Sequence, residues 1–128
     1  MFNLKKRRLR NEFLKALNDL SLSQNANHDE LKDFYDDLFS IIEKYEKIYD
    51  NLTKKDRMIS IVKLKSILNQ YLTTIQNIHC IYIQLLECDK LNYETKKKIS
   101  EFARQSVSIS DKTISVLDRI TNLLSKEI

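Results

Sequence analysis

The stretch from residue 61 to residue 86 carries apolar side chains on a seven-residue repeat. Its expected core positions are Ile61, Leu64, Leu68, Tyr71, Ile75, Ile78, Tyr82 and Leu85. Ile67, Leu72, Ile81 and Leu86 widen this stripe, and polar residues gather on the opposite side. The pattern predicts a long amphipathic helix with a broad buried face. Since a face this wide needs more than one neighbouring helix to cover it, the other segments are expected to pack around it.

The chain has 128 residues and contains neither glycine nor proline. These two residues supply tight hairpins, turns with positive φ and helix breaks, so strand-rich folds are disfavoured. Its 42% hydrophobic content is typical of a folded protein and too high for intrinsic disorder. We therefore predict an all-α fold: an antiparallel four-helix bundle with a short first helix and long third and fourth helices, in a single domain over residues 1–128.

Apolar spacing and start signals predict helices at about 4–20, 28–51, 54–88 and 93–126. The second helix carries its own repeat, Leu31, Phe34, Leu38, Ile41, Tyr45, Ile48 and Leu52. Carried past Leu52, this repeat would place Lys55 and Ser66 in the core, out of phase with Ile61 and Leu64. The mismatch predicts a break near residues 51–53, although one continuous helix with a stutter would also shift the phase.

Three polar residues are expected to cap helices. Asn27 follows the polar loop over residues 21–27, Thr53 precedes Asp56 by three residues in the manner of a capping box, and Asn92 precedes the last helix. The core stripe of that last helix is expected at Ile99, Phe102, Ser106, Ile109, Thr113, Val116, Ile120 and Leu123. Its small hydroxyl residues are expected to bond to carbonyls of the preceding turn.

The first ten residues carry a net charge of +5, the strongest local charge signal in the chain. The candidate contacts for an anionic partner are Lys5, Lys6, Arg7, Arg8 and Arg10. Positive charge is unfavourable at a helix N-terminus, so this end would gain from an anionic partner. The alternative interpretation is a solvated end that only adds solubility.

The second helix is acidic, because residues 11–52 hold 10 acids and 4 bases. The candidate contacts for a basic partner are Asp29, Asp33, Asp36 and Asp37. Complementary charge guides protein association. A solvated helix face explains the same residues without a partner.

No catalytic or metal-binding pattern is found in the sequence. Bundles that hold two metal ions use Glu-x-x-His pairs, which are absent, and the phosphate-binding and nucleophile-elbow motifs require glycine. His79 lies beside the core stripe and is expected to be structural. Cys80 and Cys88, eight residues apart on one helix, are roughly 12 Å apart and are expected to be free thiols. We therefore expect no enzyme activity, no metal and no cofactor.

No apolar run reaches the roughly 20 residues that span a bilayer, and the basic start lacks the features of a secretory signal. A cytoplasmic location is expected.

Two parts of the chain together resemble a known family. The segment FLKALNDL (13–20), the polar loop, DELK (29–32) and the pair Glu43 and Lys44 resemble the opening half of bacteriocin immunity proteins of the enterocin A and pediocin type. Residues 91–103 resemble the family's last helical segment. The resemblance covers about half of the chain. It implies a cytoplasmic antiparallel four-helix bundle that protects a producing cell through contact with a bacteriocin-bound membrane receptor. The longer third segment and the helical end of the chain depart from the family pattern.

Three functions are therefore expected in order of preference. The first is a non-enzymatic helical protein–protein interaction module, an adaptor or regulator, with self-association as an extension. The second is a cytoplasmic bacteriocin immunity protein. The third is nucleic-acid binding, in which the basic N-terminal helix meets Lys54, Lys55 and Arg57 at one end of the bundle while residues 96–98 lie at the other.

Overall fold

The computed structural model describes residues 2–20 and 28–127, apart from the side chains of Phe2, Asn3 and Lys6. These residues form four α-helices, α1 (Phe2–Asp19), α2 (His28–Ile48), α3 (Lys54–Leu86) and α4 (Tyr93–Glu127), and one 3₁₀ turn, Tyr49–Asn51. They contain no strand. The all-α prediction is confirmed, whereas the predicted loop over residues 21–27 and its cap Asn27 lie outside the described residues.

Two separate helices, α2 and α3, account for the phase shift in the sequence repeat. Ile48 ends α2, the 3₁₀ turn follows, and Leu52 has extended backbone at φ −87° and ψ 144°. Its N–H donates to the Tyr49 carbonyl at 3.2 Å. Thr53 then caps α3, since its Oγ1 accepts from the Asp56 N–H at 3.1 Å. The break predicted near residues 51–53 is therefore present.

The connection between α3 and α4 is also built by local hydrogen bonds. The predicted third helix reaches residue 88, but α3 ends at Leu86. There the Cys88 N–H bonds to the Leu85 carbonyl at 3.1 Å, an i to i+3 closure that is common at helix ends. Asn92 caps α4 as predicted, because its Oδ1 accepts from the Thr95 N–H at 2.8 Å.

The helices contribute to two compact units. Unit 1 contains the residues up to Lys65 and those from Thr121 onward, and unit 2 contains Ser66–Ile120. Both α3 and α4 therefore supply a segment to each unit. A single domain over residues 1–128 stays a prediction.

The core of unit 1 forms where α1, α2 and the first turns of α3 bury apolar side chains. The predicted α2 stripe is confirmed in full, since all seven of its positions are buried. Phe13 of α1 packs against Tyr45 of α2 with ring centroids 5.5 Å apart. Two fully buried hydroxyl groups, those of Tyr45 and Ser60, find no hydrogen-bond partner among the described residues, at a cost of about 1–3 kcal/mol each.

Unit 2 is held by packing between its segments of α3 and α4. Tyr82 contacts Phe102 with ring centroids 5.9 Å apart, and His79 Nδ1 lies 3.2 Å from the Ala103 carbonyl oxygen. Because a carbonyl can only accept, Nδ1 must carry the proton and donate. His79 therefore joins the two segments, which agrees with the structural role expected from the sequence.

Small hydroxyl residues lie buried on the α4 stripe, as predicted. Ser106 Oγ donates to the Phe102 carbonyl at 2.9 Å and Thr113 Oγ1 to the Ile109 carbonyl at 2.7 Å. Each buried hydroxyl is thus satisfied within its own helix.

The predicted α3 core is wrong at its last position. Ile61, Leu64, Leu68, Tyr71 and Ile75 are buried, Ile78 and Tyr82 are half-buried, and Leu85 is exposed. Within unit 2 the end of α3 packs on one segment, the start of α4. One neighbouring helix covers only a narrow stripe, so the edge of the broad apolar face remains in water.

Replacing Leu68 with alanine should destabilise the protein by about 2–5 kcal/mol, because it leaves a cavity in the core. Leu85→Ala deletes the same atoms at an exposed position and should cost about 0.5 kcal/mol or less. Urea unfolding followed by circular dichroism measures both changes. Equal losses of stability would show that the core extends to the end of α3.

Candidate functional site

The basic start of α1 is fixed to the start of α3 by an ion pair. Arg10 Nε lies 2.5 Å from Asp56 Oδ2, and Arg10 Nη2 lies 3.1 Å from Asp56 Oδ1. This two-point geometry is the strong form of an arginine–carboxylate contact. The hydrogen bond from Arg10 lowers the pKa of Asp56 below its usual value. The contact brings Arg10 of α1 to the first turn of α3. A joint surface of the basic segment with Lys54, Lys55 and Arg57 stays a prediction.

The five predicted contacts for an anionic partner differ in how far the structure leaves them available. Arg10 is half-buried and committed to Asp56, so its role is internal. Arg8 pairs at 3.1 Å with Glu12 on the surface of α1, a pair type that contributes little. Lys5 and Arg7 are exposed. The side chain of Lys6 lies outside the described residues.

The four predicted contacts for a basic partner share one side of α2. Asp29, Asp33, Asp36 and Asp37 are all exposed, and their spacing of four, seven and eight residues from the first keeps them on neighbouring positions of the helix surface. Their contact with a basic partner stays a prediction.

Sequence reasoning did not find a groove between α1 and α2, which we call the α1–α2 groove. It has a volume of about 280 Å³, and Leu9, Phe13 and Ile48 supply its apolar lining. Lys44 and Lys47 border it, and both are exposed. Glu12 and Asn51 complete its lining. The groove therefore combines an apolar surface with two ammonium groups.

A second depression lies farther along the line where α1 and α2 meet, which we call the α1–α2 seam. Its lining comprises Ala16, Asp19, Leu20, Asp37, Ser40, Ile41 and Lys44. Lys44 is shared with the groove, whereas the carboxylates of Asp19 and Asp37 belong to the second depression alone. The seam is thus basic at one end and acidic at the other.

A polar cluster in unit 1 joins the end of α4 to the start of α3. Arg57 Nε lies 2.8 Å from Glu127 Oε1, and Arg57 Nη1 donates to the Leu52 carbonyl at 2.8 Å. The Tyr49 hydroxyl donates to the same Glu127 oxygen, and the guanidinium carbon lies 5.3 Å from the centroid of the Tyr49 ring. The hydrogen bonds from Arg57 and Tyr49 lower the pKa of Glu127. This cluster uses its charges to hold helices together.

Residues 2–20 and 28–127 do not bring potential metal ligands together. They contain no group of three His, Cys, Asp or Glu side chains placed to hold a metal ion. No helix among them has the length and apolarity to cross a membrane. Cys80 is an exposed free thiol and Cys88 a half-buried one.

Comparisons of this chain with protein-family models, with curated proteins and with solved structures find no match.

The Arg57–Glu127 pair should make stability depend on pH. The pKa of Glu127 in the folded protein lies below its ordinary value of 4.5, so the pair stabilises the fold above pH 4.5 and loses this effect as pH falls through the lowered pKa. Glu127→Gln should lower the melting temperature at pH 7 and flatten the decline below pH 4.5. Thermal unfolding between pH 7 and pH 3 measures both effects.

The exposed Glu43 provides the control. Glu43→Gln should keep the pH profile of the unmodified protein. Parallel profiles for the unmodified protein and Glu127→Gln would contradict a stabilising role for the Arg57–Glu127 pair.

Proposed function

We propose that this chain is a non-enzymatic helical protein–protein interaction module that acts as an adaptor or regulator. The observation that supports the proposal is the apolar surface at the end of α3 in unit 2. Ile81 is 53% exposed and Leu85 is 40% exposed. The two residues are four apart, so their side chains lie next to each other on one face of the helix.

An exposed pair of this kind favours association for a physical reason. Single exposed apolar side chains are common, but contiguous ones mark interaction surfaces more often. Covering them removes apolar area from water, which is worth roughly 25 cal/mol per Å² before the costs of association. The surface of Ile81 and Leu85 is thus suited to a partner protein, including a second copy of the chain.

Replacing both Ile81 and Leu85 with serine should abolish partner binding and leave the helical content unchanged, because neither side chain is in the core. Pull-down from the native cytoplasm, with sedimentation velocity for self-association, measures the loss. Circular dichroism reports the fold.

The matched control is the double replacement of Val107 and Ile114 with serine. Both lie on α4, also in unit 2, with similar exposures, but they are seven residues apart and so do not form a contiguous apolar pair. The control should retain partner binding. A strictly monomeric protein without partners would contradict the proposal, as would an equal loss of binding in both double variants.

A bacteriocin immunity protein is the second candidate, and the number of helices is the feature that supports it. The described residues form four α-helices, the number that the resemblance implies, although α4 remains helical to Glu127. An antiparallel four-helix bundle in the cytoplasm belongs to this hypothesis.

We expect that expressing the gene would protect a sensitive strain against a bacteriocin encoded beside it. Growth inhibition zones, compared with those of a strain carrying the empty vector, measure the protection. Zones of equal size would contradict an immunity function.

Nucleic-acid binding is the weaker alternative. The exposed Lys5 and Arg7 lie on the basic segment that meets α3, which favours contact with phosphates. However, Arg8 and Arg10 are each paired with a carboxylate of this chain, which reduces the free positive charge.

A further inference from the structure

We propose that the α1–α2 seam binds an amphipathic helix of a partner protein. A large apolar side chain of that helix fills the α1–α2 groove, and its acidic residues face Lys44 and Lys47. This inference rests on the proposed function and specifies the chemistry of one partner.

The groove is suited to a single apolar anchor. Its volume of about 280 Å³ accommodates one leucine or phenylalanine side chain. Phe13 and Ile48 are buried in the core of unit 1, which gives the groove a fixed lining, and Leu9 is 39% exposed. Docking of an apolar side chain would remove Leu9 from water. Recognition of a helix by a groove typically depends on a few anchors of this kind.

The charges around the groove select an acidic partner at this end. Glu12 is the one carboxylate in the groove lining, and Arg8 already pairs with it at 3.1 Å. Glu12 therefore competes little for the two lysines. Lys44 also lines the second depression with Asp19 and Asp37, whereas Lys47 lines the groove alone, so Lys47 supplies most of the positive charge open to a ligand. Lys5 adds to it, because it lies four residues before Leu9 on the same side of α1. Carboxylates on the partner complement this field.

The second depression sets the spacing of the anchors on the partner helix and the charge expected beside the second anchor. Ile41 in that depression and Ile48 in the groove are seven residues apart on α2, roughly 10 Å at 1.5 Å per residue. A helix lying along the seam would place side chains at positions i and i+7 over the two depressions. Asp19 and Asp37 favour a lysine or arginine beside the second anchor.

The same charges distinguish a helix from a membrane surface. An anionic lipid surface would be attracted by Lys44 and Lys47 but repelled by Asp19 and Asp37 on the same seam. A partner helix with acidic residues at one end and basic residues at the other satisfies both depressions.

The experiment titrates the full chain into a fluorescein-labelled helical peptide and follows fluorescence anisotropy. The peptide is alanine-rich and has two leucine anchors seven residues apart, glutamates around one anchor and lysines around the other. Saturable binding is expected, with NMR shifts at the amides of Leu9, Phe13 and Ile48. A control peptide with alanine at both anchor positions should not bind.

Charge reversal then tests the site. Replacing both Lys44 and Lys47 with glutamate should weaken binding at least about tenfold, and Leu9→Ser should also weaken it. Replacing Lys97 and Lys98 with glutamate makes the same charge change at exposed positions of unit 2 and should leave the affinity within about twofold. Circular dichroism melts verify that each variant is folded.

Four results would overturn the inference. Two concern the peptide: the absence of saturable binding, or an affinity of the Lys44 and Lys47 variant equal to that of the unmodified protein. The other two are displacement of the peptide by phosphatidylglycerol vesicles and a dimer of the unmodified protein that dissociates in this variant. The last two would assign the seam to a lipid surface or to a second copy. The peptide experiment does not involve Ile81 and Leu85. A negative result would therefore contradict the binding of a helix at the seam without contradicting the interaction module itself.

Discussion

Burial of the apolar stripe of α3 is the interaction on which the rest of the structure depends. Ile61, Leu64, Leu68 and Tyr71 are completely removed from water. In unit 1 the first turns of α3 are joined to α1 by the Arg10–Asp56 pair, and in unit 2 its later turns pack on α4. Each unit is thus built on a segment of the same helix. Such packing of an amphipathic face, rather than helix propensity, usually supplies most of a helix's stability.

The surface open to partners depends on how far α3 is covered and on which charges are already paired within the chain. The apolar stripe continues beyond the turns that are covered, so Ile81 and Leu85 stay in water at the end of α3. Several charges, in contrast, are committed within the chain: Arg10 binds Asp56, and Arg57 binds Glu127. The total of 22 lysine and arginine residues therefore overstates the number of cations available to partners, although each pair leaves the net charge of +4 unchanged. The lysines beside apolar surface are the stronger basis for recognition.

Local signals in the sequence were sufficient for much of the fold. The helix repeats, the break after α2 and the caps at Thr53 and Asn92 depend on neighbouring residues, and the structure contains them. Less of the candidate site could be predicted from the sequence. Arg57 and Glu127 are 70 residues apart, and the α1–α2 groove requires knowledge of how two helices pack, so neither has a local signature. The same reason explains the wrong assignment of Leu85 to the core: periodicity shows which face is apolar but not how far a neighbouring helix covers it.

Hydrogen exchange along α3 tests the central claim most directly, because amide protection reports local opening of the structure. We predict the slowest exchange for amides from Ile61 to Ile75 and progressively faster exchange from Ile78 to Leu86. Uniform protection along α3, or the slowest exchange at its C-terminal end, would contradict the account.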